Sequence, residues 1–242
     1  MRILVLGGTT EARHLANQLV AKGHSVITSL AGRTSDPKLP AGSLRVGKFG
    51  GVPGLVAYLR AARIDRLVDA THPYAGHMSV NAVAAAEATA IPLVRLMRPP
   101  WTPGEGDRWT EFPTMKAAAT ALPPNSTVLL TTGHEGLAIL LARDDCQFLV
   151  RLIEPPASDL PFYARLLRDR PPYTLDGETA LMRAETITHL ITKNSGGEQT
   201  RAKLDAARAL AIPVLMIARP AYGPAIEAAT VEEAIAALHL SS

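Results

Sequence analysis

The chain opens MRILVLGGTTEARHLANQLVAKGH (Met1–His24), and the fold is decided inside it. Ile3, Leu4, Val5 and Leu6 form a short unbroken apolar run, the pattern of a strand buried on both faces of a parallel sheet. Gly7 and Gly8 end that run. Beyond them Ala12, Leu15, Ala16, Leu19 and Val20 recur at the spacing of one helix face, with Gly23 at the C-cap. Thr9 or Thr10 can cap this helix. A strand, a tight glycine turn and a helix N-terminus together make an anion site, because the first N–H groups lack partners and the helix dipole favours negative charge.

Working outward, strands alternate with helices along all 242 residues. Strands are expected at Arg2–Gly7, Ser25–Leu30, Leu44–Phe49, Arg66–Thr71, Leu93–Arg98, Thr127–Thr132, Phe148–Ile153, His189–Lys193 and Val214–Arg219. Helices are expected at Gly54–Arg63, Met78–Ala90, Thr114–Leu122, Glu135–Ala142, Asp159–Arg168, Arg201–Leu210 and Glu232–Leu240. Such alternation implies α/β architecture with parallel sheets.

The halves repeat. IDRLVDATHPYAG (from Ile64) returns as ITHLITKNSGGEQ (from Ile187), AIPLVRLMRPPW as AIPVLMIARPAY, and LVLGGTTE as VLLTTGHE. Arg98 thereby stands opposite Arg219 and Glu11 opposite Glu135. Each half ends in an alanine-rich helix. The expected organisation is two Rossmann-like domains, 1–124 and 125–242, with a ligand cleft between them, since ligands of open parallel sheets sit at the carboxyl ends of the strands.

Composition narrows the function. Hydrophobic residues make up 47% and charged residues 19%, which suits a packed globular chain. The single cysteine, Cys146, excludes a disulfide framework, and the seven histidines show no paired metal spacing. A formal charge of +3 is too small for nucleic-acid binding, and no apolar run approaches a membrane span. A cytoplasmic protein, monomeric or a small homo-oligomer, is expected. GSLRVGKF (Gly42–Phe49) imitates a phosphate-binding P-loop, but Phe49 replaces the magnesium-binding hydroxyl and a strand occupies its middle.

Polar residues collect at the strand ends. In the first half Gly7, Gly8, Thr9, Thr10 and Glu11 form the opening turn, and Ala70 and Thr71 follow the fourth strand. The second strand ends at Ser29 with Arg33 beyond it and no carboxylate. A hydroxyl and a guanidinium suit a 2′-phosphate, so NADPH is the expected cofactor. His72 and Tyr74 lie where a nicotinamide would be. In the second half Thr132 and Gly133, then Lys193, Asn194, Ser195 and Gly196, and finally Arg219 make cationic loops suited to carboxylates. Arg98 joins that group as the counterpart of Arg219.

GGTTEAR, DATHPYA, TKNSGG and the paired Arg-Pro strand ends together resemble the precorrin-6A reductase family of cobalamin biosynthesis, across essentially the whole chain. The resemblance implies NAD(P)H-dependent reduction of one double bond in a corrin precursor, precorrin-6A to precorrin-6B, or of its cobalt-bearing analogue. It makes the second half the seat of a tetrapyrrole fringed with carboxylates. His72, Tyr74 or water delivers the accompanying proton. A dinucleotide-binding sensor would have no use for the cationic loops. A short-chain reductase would need Tyr-x-x-x-Lys, whereas Tyr74 is followed by Met78.

Overall fold

A computed structural model describes residues 1–32 and 39–240; Arg33 lies outside the described residues. In chain order the strands are β1 (Arg2–Leu6), β2 (Ser25–Leu30), β3 (Ser43–Val46), β4 (Arg66–Asp69), β5 (Leu93–Leu96), β6 (Trp109–Phe112), β7 (Thr127–Leu130), β8 (Gln147–Leu152), β9 (Ala164–Arg168), β10 (His189–Lys193), β11 (Val214–Ile217) and β12 (Ile226–Ala228). The helices are α1 (Thr10–Ala21), α2 (Gly51–Ala61), α3 (Gly76–Thr89), α4 (Met115–Ala121), α5 (Leu137–Leu140), α6 (Leu175–Ala184), α7 (Ala202–Ala209) and α8 (Val231–Leu240).

These elements form two six-stranded sheets, of order β12-β5-β4-β1-β2-β3 and β6-β11-β10-β7-β8-β9. Every pairing is parallel. The apolar run of β1 shows why it sits at a sheet centre. Ile3 and Val5 enter a core with α1 and α8, while Leu4 and Leu6 enter a second core with α2 and α3. A strand covered by helices on both faces must be apolar at every position.

The chain divides into one unit of Met1–Pro99 with Pro220–Ser242 and another of Pro100–Arg219, which differs from a split at 124. The halves exchange their last strand and helix. β6 pairs with β11, and β12 returns to pair with β5. Ala234, Ile235 and Leu238 of α8 are buried against Leu15 and Leu19 of α1, so the carboxyl-terminal helix completes the core of the first unit. The repeat marks both terminal helices but does not reveal which sheet each covers.

One expected helix is a strand. Asp159–Arg168 contains β9, whose extended backbone pairs Arg165 with Leu149 and Leu167 with Arg151, after a turn in which the Ala164 amide donates to the Pro161 carbonyl (2.8 Å). The helix of this region is α6 instead, capped by the Thr174 hydroxyl, which accepts from Gly177 N at 3.2 Å. Among the described residues no helix is long and apolar enough to cross a membrane.

Candidate functional site

In the first unit chain direction across the sheet reverses between β1 and β4, the position at which open parallel sheets hold ligands. The β1–α1 turn lies there. The Gly7 amide donates to the Ser29 carbonyl (2.9 Å), and a Cβ on Gly7 would lie 2.9 Å from the Thr28 γ-methyl, so this glycine is required by packing. Gly8 is different. Its φ of +115° favours glycine, and nothing lies within 4 Å of the position a Cβ would take. Thr9, not Thr10, is the cap: its hydroxyl accepts from Ala12 N (3.1 Å) and donates to the Ala70 carbonyl (2.9 Å). One threonine thus starts α1 and ties it to the loop after β4. The amides of Thr10 and Glu11 have no intrahelical acceptor by position and open the first turn toward an anion.

A shallow crevice at this edge is lined by Thr9, Glu11, Thr71, Pro73, Leu96, Met97 and Arg98. The Arg98 guanidinium grips Glu11 at 3.0 and 3.1 Å, which places Arg98 beside the opening turn. Thr71 is oriented by the buried Asp69, whose carboxylate accepts from the Thr71 hydroxyl at 2.7 Å. Asp69 itself faces Arg95 (3.5 Å), and Arg95 continues to Glu227 at 2.7 Å. His72 is exposed; its Nδ1 accepts from the Tyr74 amide (3.3 Å), and the two rings lie 5.9 Å apart. The Tyr222 hydroxyl donates to the Pro73 carbonyl, so the returning segment before β12 fastens this loop.

At the far side of the same edge Ser29 is the register partner of Arg45. Arg45 Nη1 donates to the Ser29 hydroxyl (3.3 Å) and the Gly47 carbonyl (2.7 Å), and Nη2 to the Lys48 carbonyl (2.9 Å). Its guanidinium carbon lies 3.7 Å from the centre of the Phe49 ring. Arg45 and Tyr222 are the site-edge residues that sequence reasoning missed, because only strand register and the chain's return bring them there.

In the second unit the reversal falls between β7 and β10. Thr132 is buried, and its hydroxyl has no hydrogen-bond partner among the described residues. Gly133 follows in the same turn. Lys193 Nζ donates to the exposed Glu135 carboxylate (2.8 Å), and Arg219 Nε donates to the Asn194 carbonyl (2.7 Å). Asn194 is buried with its amide committed to backbone: it accepts from Trp101 N (2.8 Å) and donates to Trp101 O (3.0 Å). Ser195 and Gly196 continue the loop, with the Ser195 amide donating to the Lys193 carbonyl (2.8 Å). Deeper in this unit Arg151 and Glu178 form a buried two-point pair (2.7 and 3.0 Å) under the Tyr173 ring. Burial pushes the Tyr173 hydroxyl up to about 12, against the opposing pull of the Arg151 charge.

A cavity of about 270 Å³ lies elsewhere, among Thr127, Gln147 and Ala164 at the amino ends of β7, β8 and β9. That is the wrong end of a parallel sheet for its ligands, and none of the residues above line it. Among the described residues no cluster of histidine, cysteine, aspartate or glutamate could hold a metal.

Two doubly wound parallel sheets, with a glycine turn and helix N-terminus at one reversal and a cationic loop set at the other, define an α/β protein of Rossmann-like architecture. Comparison with known proteins is specific. The family described as Precorrin-6x reductase CbiJ/CobK matches residues 2–239, and the chain belongs to it, an oxidoreductase of cobalamin biosynthesis. It is 48% identical over 239 residues to the Precorrin-6A reductase of Rhodococcus erythropolis, covering 98% of this chain and 96% of the relative. It is 30% identical to the Cobalt-precorrin-6A reductase of Priestia megaterium, covering 98% and 97%. The solved structure of a CobK precorrin-6A reductase superposes with a TM-score of 0.92 at 45% identity, covering 98% of this chain and 96% of that one.

Proposed function

We propose that this chain uses NADPH to reduce one double bond of precorrin-6A, giving precorrin-6B. The observation that carries the reading is the near full-length identity of 48% to a precorrin-6A reductase, taken with the geometry of the β1–α1 turn. That turn fits a dinucleotide pyrophosphate. Gly8 leaves open space where any side chain would stand, and the first-turn amides of α1 that follow it have no intrahelical acceptor by position. Gly7, Gly8, Thr9, Thr10 and Glu11 would hold the phosphates, Ser29 the ribose end, and Ala70 and Thr71 the nicotinamide end. Bound there, the reduced nicotinamide supplies a hydride.

The protein's own contribution is alignment. Asp69 fixes the Thr71 hydroxyl, and Tyr222 fastens the loop that carries His72 and Tyr74, so groups near the reacting atoms are pre-oriented. A proton follows the hydride to the neighbouring carbon, from His72, Tyr74 or water; pH–rate profiles of His72→Ala and Tyr74→Phe separate the three. In the second unit Thr132, Gly133, Lys193, Ser195, Gly196 and Arg219 would receive the macrocycle's carboxylates. Lys193 is held by an exposed glutamate, an exchangeable partner of the same chemistry as the substrate's acid groups. Identity of 48% to a precorrin-6A reductase against 30% to a cobalt-precorrin-6A reductase favours the metal-free ring.

The direct test follows NADPH and pigment absorbance together in purified protein supplied with precorrin-6A. Equimolar loss of both is expected, and no NADPH oxidation would refute the assignment. Lys193→Ala and Arg219→Ala should weaken tetrapyrrole binding and raise KM while leaving NADPH affinity nearly unchanged. Loss of NADPH with retention of the tetrapyrrole would reverse the assignment of the two units.

A further inference from the structure

GSLRVGKF, which fails as a P-loop, has another use. Its strand is β3, and its register sets Arg45 beside Ser29 at the carboxyl edge of the first sheet. In doubly wound dinucleotide-binding sheets the end of the second strand lies by the adenosine ribose, whose 2′ position distinguishes the two nicotinamide cofactors. We infer that Arg45, with the Ser29 hydroxyl beside it, is the residue that recognises a 2′-phosphate; this rests on the cofactor reading above.

The side chain is built as a fixed cation. Two carbonyls, Gly47 and Lys48, hold the guanidinium beyond the strand end, and the Phe49 ring supports one face at 3.7 Å. The Tyr58 ring centre lies 5.2 Å away. Aromatic support fixes the plane of a guanidinium without neutralising it. Among the described residues those carbonyls and the Ser29 hydroxyl use three of its five N–H groups, leaving Nε–H and one Nη2–H to donate. Among the described residues no carboxylate pairs with Arg45, whereas Arg95, Arg98, Arg143 and Arg151 each have one. A half-buried guanidinium with a hydroxyl alongside and, among the described residues, no carboxylate partner is suited to receive a phosphate. The exposed Lys48 adds a second charge at the same loop.

Isothermal titration of the full chain tests this with NADPH, NADH, 2′,5′-ADP and 5′-AMP. Arg45→Met should weaken NADPH and 2′,5′-ADP by about 10- to 100-fold, the loss of a charged hydrogen-bond partner, and leave NADH and 5′-AMP unchanged. Equal loss for all four ligands, or none, would overturn the inference while leaving the reductase reading intact. Arg45 also satisfies two carbonyls, so Ser29→Asp provides a variant that keeps those bonds. Its carboxylate would neutralise Arg45 and repel phosphate, shifting preference to NADH; unchanged preference for NADPH overturns the assignment. Wild-type protein that prefers NADH also overturns it, and wild-type protein that binds neither dinucleotide overturns the cofactor reading on which it stands.

Discussion

Asn194 allows a quantitative test of how the second unit is held. Its amide bridges β10 to the segment at Trp101 by two buried hydrogen bonds of 2.8 and 3.0 Å, one in each direction. Asn194→Ala removes both and strands a backbone N–H and a carbonyl in a site from which water is excluded. Each lost bond costs about 1 kcal/mol net, and an unsatisfied buried group adds to that, so the total is about 2–4 kcal/mol. The chain's two tryptophans, Trp101 and Trp109, both lie within Pro100–Arg219. Tryptophan emission during urea unfolding therefore reports on this unit alone. With a slope of about 2 kcal/mol/M, the midpoint should fall by about 1–2 M. Asn194→Asp adds a diagnostic. Its new oxygen would face the Trp101 carbonyl, so its folded-state pKa is raised, and the variant's stability is greatest at acid pH and lost as pH rises through that value. A midpoint within about 0.3 M of wild type for Asn194→Ala would refute the reasoning.

Other substitutions separate packing from binding. Gly8→Val should abolish dinucleotide binding, since its side chain would fill the open space over the turn and its β-branch would strain a backbone held at φ +115°; unaltered cofactor affinity in the folded variant would remove the turn from the site. Gly7→Ala, with its Cβ 2.9 Å from Thr28, should instead lower the melting temperature with a smaller effect on binding; a melting temperature equal to wild type would refute that division. Arg151→Met leaves the Glu178 carboxylate buried and alone, for a loss of about 3–5 kcal/mol by chemical denaturation. Adding Glu178→Leu should recover most of that loss, and failure to recover it would show that the cost is not an unpaired charge.

The fold class was legible because parallel strands buried on both faces leave continuous apolar runs, as Ile3–Leu6 and Leu190–Ile191 do. The strands that escaped notice, β6 and β12, are short, partly exposed edge strands with no such run. Their loss hid the strand exchange, since they are the strands that cross between the units' sequences. α6 was obscured by Gly177 within it and by the proline pair before it, and Leu160, Tyr163, Ala164 and Leu167, leading into and along β9, fall at a helix-like spacing. At the site the β1–α1 turn could be read because glycine, cap and helix face are contiguous in sequence. Arg45 could not, because its meaning depends on which residue of β2 lies beside it. Arg98 could be identified as a strand-end cation, but its partner Glu11 stands 87 residues away.

The repeat also bears on the proposed assignment of the dinucleotide to the first half. Aligning LVLGGTTE with VLLTTGHE sets Thr9 against Gly133, a change that removes the hydroxyl that caps α1 and bonds the Ala70 carbonyl. Without an equivalent, the second unit's helix after this strand begins at the N-cap Gly136, with no side-chain cap, and runs for four residues where α1 runs for twelve. A single turn carries little dipole and few aligned amides, so it offers a pyrophosphate far less than α1 does. The paired charges are rearranged accordingly. In the first unit the strand-end arginine, Arg98, holds the turn glutamate, Glu11. In the second, Arg219 turns to the Asn194 carbonyl and Glu135 is taken by Lys193, which stands where the first unit has Ala70. Replacing a small residue by lysine at that point places an ammonium group where the first unit has only a methyl. On the proposed reading, the scaffold position that would lie beside a nicotinamide in one half is thereby suited to a carboxylate in the other.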